Sequence, residues 1–169
     1  MANRAYLYAK KGNEVTGISE YNYDIPISHK ILVSGNIKLV KSKIFRSPFK
    51  IALQGDLKKG VEKLYTFLED LKSKEYFDEN VLNECIEETK AFLDKNSGYQ
   101  HFHLECGEIF DTNIYIKNRK LYKEISNIDN VIEDFYKIMD EMKKGGDKQE
   151  KMINILGIRE WSEYLYYEI

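Results

Sequence analysis

The chain has 169 residues, of which 43% are hydrophobic. This is enough apolar surface to form one core, so we predict a single domain that spans residues 1–169. The 26 basic and 28 acidic residues leave a net charge of only −2, which excludes histone-like and disordered proteins. With two cysteines, no apolar signal core at the start and no long apolar run, we expect a reduced, cytoplasmic protein without a membrane-spanning segment.

The first third of the chain has the composition of a small sheet with one short helix. Alternating apolar and polar residues predict a β-hairpin over residues 5–21. A short helix is predicted between Pro26 and Gly35, since proline is tolerated in a first helical turn and glycine ends the apolar run. Two further strands are predicted over residues 37–45 and 50–54.

The pattern then changes to the period of a helix. Apolar residues at three-four spacing predict amphipathic helices over residues 57–74 and 79–96. Asp56 and Asp78 precede these helices and are predicted to be their N-caps. Residues 101–106 alternate again, which predicts another strand.

The last third predicts a second small β region followed by helices. Apolar β-formers over residues 114–125 flank a turn-like Asn118 and predict short strands. A third long helix is predicted from Ser126 to the stop at Gly145. A further helix over residues 147–165, interrupted at Gly157, ends the chain. We therefore predict an α+β fold, in which an N-terminal antiparallel sheet packs with several amphipathic helices and the C-terminus is helical.

The most distinctive local pattern is His101-x-His103-x-Glu105. A strand places alternate side chains on one face, where two imidazoles and a carboxylate could bind zinc. The favoured interpretation is a polar outer face of the strand, because the intervening residues form an apolar inner face, namely Phe102, Leu104 and Cys106. We expect no metal and no cofactor.

Cys106 is a second candidate, because a histidine nearby could act as the base of a Cys-His nucleophile. Glu105 and Glu108 flank it, and negative neighbours raise the pKa of a thiol and disfavour the reactive thiolate. We interpret Cys106 as a buried packing residue. Cys85, on the apolar stripe of the second long helix, receives the same interpretation. No catalytic residue is predicted.

The segment from Gly55 to Gly60 resembles a phosphate-binding loop in its glycine spacing. Val61 and Glu62 replace the Lys-Ser/Thr pair that such a loop needs to contact phosphate and magnesium. The segment is therefore predicted to be the start of a helix and not a nucleotide site.

Charge is distributed unevenly along the chain. Residues 1–60 carry 11 basic and 4 acidic side chains, whereas residues 61–111 carry 5 basic and 13 acidic ones. The basic segment, with its tyrosines, could bind single-stranded RNA by charge and stacking. The side chains concerned are Lys30, Lys38, Lys41, Lys43, Arg46, Lys50, Tyr6, Tyr8, Tyr21 and Tyr23. With a net charge of −2, nucleic-acid binding is the less favoured interpretation.

The acidic segment offers a better partner surface, because its carboxylates lie off the apolar stripes of two predicted helices. Such a surface could be a solvated helix face, or it could steer and hold a basic protein. The predicted partner-binding residues are Glu69, Asp70, Glu84, Glu87, Glu88 and Asp94.

Four sequence motifs resemble an uncharacterised bacterial family. They are MANRAYLY at 1–8, ILVSG at 31–35, IALQGD at 51–56 and LECGEI at 104–109. Some members of that family are immunity partners of polymorphic or contact-dependent growth inhibition toxins. The resemblance covers roughly residues 1–110 and implies no catalytic residues.

The hypothesis that follows is a non-enzymatic immunity (antitoxin-like) protein that binds and neutralises a cognate toxin, such as a nuclease. Acidic side chains would then mimic the phosphates of the toxin's substrate. A small enzyme of unknown reaction and an RNA-binding module using the basic N-terminal segment are the alternatives.

Overall fold

The computed structural model describes residues 3–169; Met1 and Ala2, the first two residues of the MANRAYLY motif, lie outside this range. The predicted α+β class is confirmed. The elements in chain order are β1 (Arg4–Lys11), β2 (Glu14–Asn22), α1 (Ile27–Leu32), β3 (Lys38–Val40), β4 (Ala52–Asp56), α2 (Leu57–Lys72), α3 (Glu79–Lys95), β5 (His101–Glu105), α4 (Gly107–Phe110), α5 (Ile114–Ser126), α6 (Ile128–Lys144) and α7 (Gln149–Asn154).

The five strands form one sheet in the order β2-β1-β5-β4-β3, and every neighbouring pair is antiparallel. The predicted hairpin is confirmed as β1 and β2, and Gly12 occupies its turn with a φ of 59°, a conformation that glycine adopts without steric cost. The late strand β5 does not start a separate β region. It lies between β1 and β4 and so joins the two parts of the N-terminal sheet.

One face of the sheet packs against the helices. Leu7, Leu53 and Leu104 belong to a single cluster of buried residues that includes Leu64 and Leu68 of α2. The same cluster contains the apolar stripe of α3, which consists of Leu82, Cys85, Ile86 and Leu93. Because this core also contains residues of α1, α5, α6 and α7, the sheet and the helices form a single domain.

The opposite face of the sheet is covered by irregular chain. Residues 41–51, here called the 41–51 loop, and residues 161–169, here called the C-terminal segment, provide the cover. Leu165 packs on Tyr6 and Tyr8, which are 1% and 2% exposed. The Tyr8 hydroxyl donates to the carbonyl oxygen of Tyr167 at 2.6 Å. Both faces of the sheet are therefore buried.

One predicted strand is shorter than expected, and one predicted β region is wrong. The strand predicted over 37–45 is limited to Lys38–Val40. The β region predicted over 114–125 is the helix α5. In α5 the buried residues Asn118, Leu121 and Ile125 recur at three-four spacing, so their burial against the core outweighs the β propensity of the neighbouring isoleucines and tyrosines.

The C-terminal part is helical as predicted, through α5, α6 and α7, but its boundaries differ. Ser126 is the last residue of α5, and α6 begins at Ile128. The helix predicted to continue to residue 165 ends at Asn154. Gly157 follows with a φ of +70°, and beyond it Trp161 forms an antiparallel bridge with Ser19 of β2. In the part of the chain that the structure describes, no helix is both long and apolar enough to cross a bilayer.

His29 of α1 should make the stability of the fold depend on pH. Its side chain is fully buried, neither ring nitrogen has a hydrogen-bond partner within residues 3–169, and burial lowers its pKa to about 3. The unfolded state binds a proton near pH 6.5 and the folded state does not, so stability is lost as the pH falls from 6.5 towards 3. We expect His29 to remove about 2 kcal/mol of unfolding free energy between pH 7 and pH 5.

Urea unfolding at the two pH values measures this effect. In His29→Leu the difference between pH 7 and pH 5 should shrink by about 2 kcal/mol. An unchanged pH dependence in His29→Leu would contradict the assignment.

Candidate functional site

The His103–Glu105 pair lies at the centre of a buried polar network. Strand β5 places both side chains on one face, as its period predicts, but each is only 1% exposed, so the predicted polar outer face is wrong. The Nε2 atom of His103 lies 2.7 Å from Oε2 of Glu105. Ser42 Oγ donates to Oε1 at 2.6 Å, and the backbone N–H of Lys43 donates to Oε2 at 2.7 Å. The carboxylate of Glu105 therefore fastens the start of the 41–51 loop to the sheet.

The three possible metal ligands have different neighbours. His101 is partly exposed, and its Nδ1 atom lies 3.8 Å from Oδ1 of Asp56, while His103 and Glu105 contact each other and the loop. Within residues 3–169 no group of three or more histidine, cysteine or acidic side chains is arranged to hold a metal ion. The observed geometry uses His103 and Glu105 to position the loop.

Cys106 follows this pair in the chain and is 1% exposed. Burial raises the pKa of its thiol, and the charge of Glu105 raises it further. A thiol in this environment is not a nucleophile near neutral pH, because the reactive species is the thiolate. This environment supports the predicted packing role of Cys106. Cys85 is also buried, and its thiol is free.

The glycines that resembled a phosphate loop serve close packing. A Cβ atom on Gly55 would lie 2.1 Å from the carbonyl oxygen of Val33, and one on Gly60 would lie 1.9 Å from that of Leu32. The glycine spacing therefore lets the junction of β4 and α2 contact the end of α1 through backbone atoms. Asp56 occupies the N-cap position of α2, as predicted, but its carboxylate makes no capping hydrogen bond to the helix.

The cap predicted for α3 is confirmed. The carboxylate of Asp78 accepts hydrogen bonds from the backbone N–H groups of Asn80 and Val81 at 3.0 and 3.2 Å. Two of the four unpaired N–H groups at the start of α3 are satisfied in this way. The first turn of the acidic helix is therefore fixed.

All six predicted partner-binding carboxylates are exposed, but they differ in their local contacts. Glu69 pairs with Lys72 at 3.2 Å and with Lys90 at 3.1 Å. Asp94 accepts a hydrogen bond from the Tyr65 hydroxyl at 2.8 Å, which joins α3 to α2. The residues with neither an ion pair nor a side-chain hydrogen bond within the described range are Asp70, Glu84, Glu87 and Glu88.

A continuous run of acidic residues surrounds the start of α3. Residues 75–89, here called the acidic segment, contain six acidic side chains and no basic one. All six are exposed, and they are Glu75, Asp78, Glu79, Glu84, Glu87 and Glu88. This run extends the predicted surface towards the beginning of α3 and away from the paired Glu69 and Asp94.

Sequence reasoning missed a groove beside α6. Its volume is about 710 Å³, and it lies between α6, α7 and residues 24–30. An ion pair of 3.0 Å between Lys30 and Glu124 stands at its edge. Its floor is apolar and includes Phe135 and Ile138, of which Ile138 is 51% exposed. The sequence contained a signal for this groove, because the apolar stripe predicted for α6 has more residues than the core buries. Only Phe135 and Met139 of α6 are buried.

The structure buries or pairs some of the residues named for the RNA-binding alternative and leaves others exposed. Tyr6 and Tyr8 are buried, and their hydroxyls bond to Glu108 and to the backbone of Tyr167, so their rings are not available to stack on bases. Lys30 is held by Glu124. The basic side chains that remain exposed on β3 and the 41–51 loop are Lys38, Lys41, Lys43, Arg46 and Lys50.

These features define an α+β protein with a buried polar network under one loop, an open groove and separated charged surfaces. The family model described as Domain of unknown function (DUF7822) matches residues 5–145, so the chain belongs to this family. The match runs from β1 to the end of α6 and leaves out α7 and the C-terminal segment. The comparisons with curated proteins and with solved structures gave no significant match.

Proposed function

We propose that this chain is a non-enzymatic immunity (antitoxin-like) protein that binds and neutralises a cognate bacterial toxin in the cytoplasm. The observation that carries the proposal is the exposed acidic segment, with six carboxylates and no cation between residues 75 and 89. A surface of this charge suits a basic partner, such as the substrate cleft of a nuclease, where carboxylates would take the places of phosphates.

The carboxylates are held on a rigid support. Helix α3 has 17 residues, a capped first turn and a buried stripe that includes Leu82, Ile86 and Leu93. Glu87 and Glu88 lie three and four residues after Glu84, so the three carboxylates project from one side of the helix. Binding would not require these charges to be brought together first, which favours fast association.

Reversal of these charges tests the proposal. In a variant with Glu84→Lys, Glu87→Lys and Glu88→Lys, the association rate with the toxin encoded beside this chain should fall at least about tenfold at low salt. The difference should narrow at high salt, because screening removes long-range attraction. Stopped-flow measurements at several salt concentrations give the rates, and circular dichroism checks the fold of the variant.

A matched control separates the acidic segment from overall charge. Reversal of Glu133, Asp134 and Glu141, which are exposed on α6, makes the same change in net charge on another helix. Equal slowing in both triple variants would reject the acidic segment as the contact surface. Absence of a complex and of protection when the parent chain is co-expressed with the toxin would reject the immunity function itself.

A further inference from the structure

The 41–51 loop and α5 meet in a second exposed surface that the proposed function does not use. We call it the basic-aromatic surface and define it by Arg46, Phe49, Lys50, Tyr115, Arg119 and Lys120. The loop brings Phe49 onto Tyr115 at the start of α5, with ring centroids 4.7 Å apart and an angle of 35° between the rings. Two segments more than 60 residues apart therefore build one surface.

The aromatic part of this surface is open and supported from one side. Phe49 is 53% exposed. The Arg119 guanidinium lies 5.5 Å from the centroid of the Tyr115 ring, and its Nη1 donates to the Tyr115 hydroxyl at 2.8 Å. The Phe49 ring is thus backed by a positioned tyrosine, while half of its own surface faces solvent.

The charges along the two segments that carry these rings are all of one sign. Residues 38–50 contain five basic and no acidic side chains, and residues 112–123 contain four basic and no acidic ones. Arg46, Lys50 and Lys120 are exposed and form no ion pair with a carboxylate of residues 3–169. These cations are available to an anionic ligand.

We propose that the basic-aromatic surface binds single-stranded RNA. A base would stack on Phe49, and the neighbouring phosphates would contact Arg46, Lys50 and Lys120, which is how sequence-tolerant binders hold single strands. Unpaired bases occur chiefly in RNA loops and ends, whereas a duplex keeps its bases inside. An acidic peptide would match the positive charge of the surface, but it has no base to stack on the exposed ring of Phe49. The inference is independent of the toxin-binding proposal, because it uses different residues.

Fluorescence anisotropy with the full chain and a labelled uridine oligomer of about 12 nucleotides tests this proposal. We expect Phe49→Ala to weaken binding about tenfold with no change in salt dependence, and Phe49→Trp to keep it. Arg46→Ala with Lys50→Ala should also weaken binding about tenfold, and should reduce the slope of log K against log salt by about 1.4, since two phosphate contacts are lost. The matched control, Lys137→Ala with Lys144→Ala on exposed residues of α6, should stay within about twofold.

Any one of several results would overturn the proposal. They are no measurable binding of the uridine oligomer at about 50 mM salt, equal losses in the Arg46/Lys50 and Lys137/Lys144 variants, full affinity in Phe49→Ala, and tighter binding of a thymidine oligomer or of an RNA duplex of the same length. Displacement of the oligomer by polyglutamate at equal charge concentration would identify the surface as a site for acidic peptides and would also overturn it.

Discussion

Replacement of Glu105 by alanine should lower the free energy of unfolding by about 3–5 kcal/mol, because it removes the side chain that three hydrogen bonds share. The carboxylate accepts from Ser42 Oγ at 2.6 Å and from the Lys43 backbone N–H at 2.7 Å, and Nε2 of His103 lies 2.7 Å from its Oε2 atom. Without it, the buried His103 and the partly buried Ser42 and Lys43 groups lose this partner, and an unsatisfied buried group costs about 1–3 kcal/mol. Urea unfolding measures the loss of stability.

Hydrogen exchange should locate the effect in the 41–51 loop. In Glu105→Ala, protection of the Lys43 amide should fall by more than protection in α2, because the loop opens before the core does. Glu105→Gln keeps the volume and one acceptor, so it should cost only about 1–2 kcal/mol. Ser42→Ala removes the donor to Glu105 and also the acceptor of the Ile44 and Phe45 N–H groups, so it should cost about 1–3 kcal/mol. If Glu105→Ala costs less than Ser42→Ala, the network does not anchor the loop.

Replacement of Gly60 by alanine should destabilise the protein by about 2–3 kcal/mol. The sign is unusual, because glycine to alanine within a helix normally gains about 1 kcal/mol. Gly60 is buried in α2, and a Cβ atom there would lie 1.9 Å from the carbonyl oxygen of Leu32. Since the obstacle is backbone and not a movable side chain, α1 and α2 must separate to admit the methyl group.

Thermal or urea unfolding of Gly60→Ala, compared with Gly98→Ala, measures this cost. Gly98 follows α3 in a turn, and a Cβ atom there would have no neighbour within 4 Å, so its substitution should change stability by less than about 0.5 kcal/mol. A stabilised Gly60→Ala would contradict the close packing of α1 on α2.

The parts of the fold that local patterns determine were predictable from sequence. The β1–β2 hairpin follows from alternation around Lys11-Gly12, and α2 and α3 follow from their three-four spacing. The cap at Asp78 follows from the preference of helix starts for short polar side chains. Each of these features depends on residues close together in the chain.

The missed features depend on contacts between distant residues. The alternation of His103 and Glu105 correctly placed them on one face, but burial of that face comes from the 41–51 loop and the C-terminal segment, which no local pattern reveals. The stacking of Phe49 on Tyr115 was hidden for the same reason, and also because α5 was predicted as strands.

Exposure of the acidic residues followed from helix periodicity, but their pairing did not. Glu69 and Asp94 were grouped with Glu84, Glu87 and Glu88 by charge alone. The structure separates them, because the packing of α2 beside α3 brings Lys90 to Glu69 and Tyr65 to Asp94. Contacts across two helices set which carboxylates stay free.

The central position of β5 has a consequence for the synthesis of the chain. The β1–β2 hairpin leaves the ribosome early, but the strand that pairs with the other edge of β1 follows roughly 90–100 residues later. At about 5–20 residues per second, that edge stays unpaired for about 5–20 s. Exposed strand edges are templates for aggregation, so a newly made chain is most exposed to this hazard until His101–Glu105 is synthesised and closes the sheet.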